Sequence, residues 1–97
     1  MILIEARDTL MALGLTDSQL DFSVYWLGKG PSYMSCMMAR DLAPSAEALL
    51  ALAGRITREA TRMRQTFKHA EAAALDDLSG KVWGELLSKY AGQREAA

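Results

Sequence analysis

Apolar positions recur at helical spacing almost from the first residue. Leu3, Ala6, Leu10 and Leu13 fall on one face of a helix over residues 3–13, and Gly14 is placed to end it. Thr16, with Gln19 three residues later, makes a capping-box pattern that opens a second helix. Leu20, Val24 and Leu27 give that helix an inward stripe, while Phe22, Tyr25 and Trp26 fall largely off it. Gly28 supplies the positive φ that ends the helix, and Gly30, preceding a proline, is pushed toward extended backbone. Pro31 is pre-set for the first position of a third helix. There Met34, Met37 and Met38 share a face that reads as core, leaving Ser32, Ser35 and Cys36 outward.

Arg40 to Pro44 is a connector, and Ser45 caps a fourth helix. From there Leu49, Leu52, Ile56, Ala60, Met63, Phe67, Ala70, Ala74 and Leu78 form one stripe. Its mean step is that of a straight α-helix, not of a heptad seam. Unbroken, residues 45–78 would span roughly 50 Å, with Gly54 the natural place for a bend. Ser79-Gly80 breaks the pattern, and a last helix follows with Val82, Trp83, Leu86, Leu87 and Tyr90 clustered.

Composition narrows the function classes. The chain has 97 residues, 51% of them hydrophobic and 24% charged, which suits one small folded domain. No apolar run approaches a membrane span, and the acid in Ile4-Glu5 argues against a signal peptide, so a cytoplasmic protein is expected. One cysteine and one histidine leave no disulfide and no zinc site, and neither a cofactor nor a small-molecule substrate is evident. Cys36 and His69 lack a recognisable orienting acid or oxyanion site, so no enzyme is expected. The Gly-Lys-Gly of residues 28–30 is no phosphate loop, because no strand pattern precedes it and Pro-Ser follows its last glycine.

Net charge is −1, but it is unevenly placed. Arg55, Arg58, Arg62, Arg64 and Lys68 share their stretch with the single acid Glu59, whereas Glu5, Asp8, Asp17 and Asp21 face only Arg7 at the start. Arg55, Arg58 and Arg62 occupy one helix face, which fits a phosphate surface, an acidic partner or a solvated face.

The order of these signals resembles the Cro/C1-type (lambda repressor-like) helix-turn-helix family over residues 3–57. The resemblance rests on Leu27-Gly28 ending the second helix, Ser32-Tyr33-Met34-Ser35 in the third, and Pro44-Ser45 through Leu52 opening the fourth. The Thr16–Gly28 segment is about three residues longer than the family's second helix. The recognition-helix positions carry Gly30, Pro31, Ser32, Ser35 and Cys36 where members place Gln, Arg, Lys or Asn. The resemblance implies an all-α fold of bacterial or phage type: a small helix-turn-helix bundle over residues 1–57 with a long fourth helix. A helical dimerisation extension over 58–92 belongs to the same compact domain, and residues 93–97 form a frayed tail.

The implied function is a DNA-binding transcriptional regulator acting as a homodimer. Lys29, Pro31, Ser32, Tyr33, Ser35, Cys36, Arg40, Arg55, Arg58 and Arg62 would meet duplex DNA. Met63, Phe67, Ala70, Ala74, Leu78, Trp83, Leu86, Leu87 and Tyr90 would form the dimer interface, because a long helix needs more cover than one short helix provides. The competing expectation keeps the scaffold but makes it a non-enzymatic adaptor or inhibitor that docks on another protein, for example one of mobile-element origin.

Overall fold

The computed structural model describes residues 1–96, with side chains through Lys89. The expected interface residue Tyr90 and the tail 93–97 therefore lie outside the described side chains. Every regular element among the described residues is a helix, so the fold is all-α. Helix α1 is Ile2–Ala12, α2 is Gln19–Asp21 and continues directly into a π-helical turn, Phe22–Trp26. Helix α3 is Tyr33–Arg40, α4 is Ala46–Gln65 and α5 is His69–Ala96.

The first helix follows its pattern: Leu3, Ala6 and Leu10 are buried and Gly14 ends the turn at φ 73°. The entry to α2 differs from expectation. Ser18, not Thr16, is the N-cap, its hydroxyl accepting the backbone N–H of Asp21 at 3.0 Å. Thr16 is buried and donates its hydroxyl to the Asp21 carboxylate at 2.6 Å.

The inward stripe of the second helix also differs. Phe22 and Trp26 are buried, with Ser23 and Leu27 beside them, while Leu20 and Val24 face solvent. Both stripes are spaced three and four apart, so periodicity alone does not separate them. The aromatic pair has far more apolar area to withdraw from water, and it takes the core. The Leu27 N–H reaches back five residues to the Phe22 carbonyl at 3.2 Å, the wider turn of a π-helix. Gly28 then reverses the chain at φ 66°, as its position demanded.

Helix α3 begins two residues after Pro31, which sits in a turn closed by the Tyr33 N–H on the Gly30 carbonyl at 3.1 Å. Met34 and Met37 join the buried set; Met38 is exposed. Ser45 caps α4 as expected, accepting from the Ala48 N–H at 3.1 Å.

In α4 the stripe Leu49, Leu52, Ile56, Ala60 and Met63 is buried, and the helix passes through Gly54 unbroken. The single long helix to residue 78 does not form. The chain turns at Thr66–Lys68, with Phe67 at φ 62°, and Ser79-Gly80 lies inside α5. Two reverse bonds close the turn: Phe67 N–H to the Arg64 carbonyl and Lys68 N–H to the Met63 carbonyl, at 3.2 and 2.8 Å. Helix α5 then packs antiparallel on α4, with Arg64 gripping Asp76 and Thr57 beside Ser79. Its inner face is Ala72, Leu75, Leu78 and Val82. Lys81 ties α5 to α1 through Glu5 at 2.6 Å. That hydrogen bond, followed by the negative charges of Glu5 and Asp77, raises the lysine pKa above its usual value.

Candidate nucleic-acid interface

Helix α3 carries the candidate reading surface. Its inner side is fixed by buried Met34 and Met37, and by the Met34 N–H donating to the buried Ser23 hydroxyl at 3.2 Å. That anchoring leaves Ser32, Ser35, Cys36 and Arg40 exposed along the outside, with Pro31 exposed in the turn and Tyr33 partly packed on the core. Ser32, Ser35 and Cys36 thus share a side, as spacing predicted.

Two residues that sequence reasoning passed over join this surface. The Gln19 amide donates to the Ser35 hydroxyl at 3.1 Å, and its carbonyl accepts from the Arg7 guanidinium, which also holds Asp8 at 2.9 Å. Arg7 and Gln19 therefore brace α3 from α1 and α2. No local signal marks them, because the link between Gln19 and Ser35 spans sixteen positions.

The flanking cations are partly committed elsewhere. Lys29 pairs with Glu47 in the first turn of α4 at 3.3 Å and lies 5.9 Å from the Tyr33 ring centre. Arg40 and Arg58 are exposed and form no ion pair among the described residues. Arg55 sits over the Tyr25 ring at 4.5 Å, and Arg62 pairs with Glu59 at 2.9 Å. Through Tyr25, the expected arginine face of α4 borders the π-helical turn.

A protein-family model matches residues 3–95. The chain belongs to DUF6626, a family of unknown function. No curated protein and no solved structure matches it. The DUF6626 match runs across both the α2–α3 unit and the α4–α5 hairpin.

Two further surfaces of the DUF6626 chain stand out. Between the π-helical turn and α4 lies a cleft of about 270 Å³, lined by Leu15, Asp21, Tyr25, Trp26, Glu59 and Arg62. Trp26 is 1% exposed, and its indole N–H has no acceptor among the described residues. The second surface is the outside of α5. Of the residues expected at a dimer interface, Met63 and Leu78 are buried within the chain's own core, and Ala74 and Leu86 are half-buried. Phe67, Ala70, Trp83 and Leu87 are exposed, Phe67 at 83% and Leu87 at 62%.

Proposed function

We propose that this protein is a DNA-binding regulator of helix-turn-helix type that acts as a homodimer. The observation that carries the reading is the outward row Ser32, Ser35, Cys36 and Arg40 on a helix whose other side buries Met34 and Met37. A helix of eight residues is roughly 12 Å long and fits a major groove of similar width. Short hydroxyls make modest base contacts, so affinity rests mainly on phosphates reached by Arg40, Arg58 and the other cations. The exposed side chains of α5 and Phe67 supply the surface for the second copy.

A titration against duplex DNA from upstream of the protein's own gene, at two salt concentrations, tests this. Affinity is expected to fall steeply with salt, and Ser35→Glu to remove binding while the helical spectrum stays intact. A folded Ser35→Glu protein that binds like the wild type removes α3 from the interface. Replacing Arg55, Arg58 and Arg62 together by Ala is expected to weaken binding and flatten the salt slope by roughly two to three.

A specific observation favours a second reading. Leu20, Val24 and Tyr25 are 58%, 45% and 46% exposed on the outside of the second helix, an apolar strip suited to a protein partner. If DNA binding is absent from the start and Leu20→Lys with Val24→Lys abolishes capture of a partner, the adaptor reading holds instead.

A further inference from the structure

Helix α5 keeps two glycines in its interior, Gly80 and Gly84, one turn apart on the side away from Ala72, Leu75, Leu78 and Val82. An interior glycine weakens a helix relative to alanine, because it loses more backbone freedom on ordering. Neither takes a positive φ, and nothing lies within 4 Å of where a Cβ would sit on either. Their own chain therefore gains nothing from the missing side chains. What a bare backbone offers here is close approach from outside. Beside this trough stand two large apolar side chains that the chain's own core leaves uncovered, Trp83 at 39% and Leu87 at 62% exposed. Knob and hollow thus occur on one face, as a contact between two identical surfaces requires.

We infer that the occupant of this face is α5 of a second copy, running antiparallel, with the twofold axis passing between Trp83 and Gly84. The inference rests on the homodimer reading above and gives it a geometry. In this register Leu87 sits over the partner's Gly80 and Trp83 over the partner's Gly84, each twice by symmetry. The two helix axes then close to about 8 Å, the near end of the usual range for packed helices. Charge agrees with shape. Lys81 and Glu85 lie on the flank of the trough away from Trp83, and an antiparallel twofold keeps like flanks together. It brings Lys81 beside the partner's Glu85, and Glu85 forms no ion pair among the described residues of its own chain. A parallel pairing would exchange the flanks, setting the Trp83 ring against the charged side of the other copy and leaving the two troughs facing each other.

Sedimentation of the full chain over a concentration series tests this. Gly80→Leu with Gly84→Leu fills both hollows at exposed helix positions. It is expected to raise the dimer dissociation constant at least about tenfold, while urea unfolding of the dilute chain shows a fold as stable as the wild type or more so. A purely structural role for the glycines would not move these two readouts in opposite directions. The direction of pairing is read from disulfides formed under mild oxidation in a Cys36→Ser background. Gly84→Cys, beside the axis, is expected to cross-link the dimer, whereas Ala73→Cys, held roughly 30 Å from its equivalent, is not. A leucine variant that dimerises like the wild type overturns the proposal and leaves the homodimer reading standing, and so does an Ala73→Cys cross-link. A wild-type chain that stays monomeric overturns both. Should the leucine variant fail to fold, the cysteine pair decides alone.

Discussion

Phe67 occupies a backbone region that costs an L-residue about 1–2 kcal/mol, and its ring is almost wholly in water. The turn it makes is closed by the two backbone bonds to Arg64 and Met63, which a glycine there would keep, and among the described residues the ring itself makes an edge contact with His69 at 6.2 Å. Phe67→Gly is therefore expected to raise monomer stability by about 1 kcal/mol in urea unfolding. A loss instead, growing with protein concentration, would show the ring buried against a second copy. Ser23 is the opposite case. Its buried hydroxyl accepts from Met34 and donates to the Gln19 carbonyl at 3.1 Å, so Ser23→Ala leaves an N–H stranded and is expected to cost about 1–3 kcal/mol. Neither residue is conspicuous in sequence. Phe67 continues an apolar stripe in register, and only the three-dimensional turn takes it off the core. Ser23 reads as an ordinary polar helix position, since its partners lie on other elements or one turn away.

The elements were legible where one apolar face dominates, as in α1 and the first half of the hairpin, and where a residue has a single conformational use, as at Gly14, Gly28 and Ser45. They were illegible where two faces compete. The segment after Ser18 offers an aliphatic and an aromatic stripe, and a π turn shifts the phase between them. A direct check is to compare Leu20→Lys, expected to change stability by less than about 0.5 kcal/mol, with Phe22→Ala, expected to cost about 3–5 kcal/mol. The apolar pattern puts the α4–α5 break at Ser79-Gly80, where the stripe that starts at Leu49 ends. Instead the helix ends at Thr66, whose hydroxyl bonds back to the Arg62 and Met63 carbonyls at 3.2 and 3.1 Å. Of the candidate site, the outward row on α3 was readable from spacing; the cleft, assembled from four separate stretches, was not. The clasp between α1 and α5 has its own signature. Since folding raises the Lys81 pKa, its contribution is full below the usual value of 10.5 and is lost as pH rises through the raised one. The difference in melting temperature between Lys81→Met and wild type is thus expected to hold through neutral pH and vanish in strong alkali.

At the scale of the whole molecule, α5 is longer than the partner it packs on, and the chain is elongated at 45 × 28 × 17 Å. Trp83 and Leu87 stay on its outside, which is why a dimer is proposed; sedimentation at micromolar concentration is expected to give twice 10.6 kDa, and a clean folded monomer would sink the idea. The three-residue turn between α4 and α5 also governs the order of events in time. Closing so short a loop loses little chain entropy, and the two helices it joins share much of the apolar interior. The hairpin is therefore the expected nucleus from which folding propagates, with the α2–α3 unit condensing onto it afterwards. In stopped-flow experiments Leu75→Ala is expected to slow refolding, whereas Phe22→Ala chiefly accelerates unfolding. On this order, the half of the molecule that carries both candidate surfaces of α2 and α3 is the last to become ordered and the first to open, while the hairpin beneath it persists.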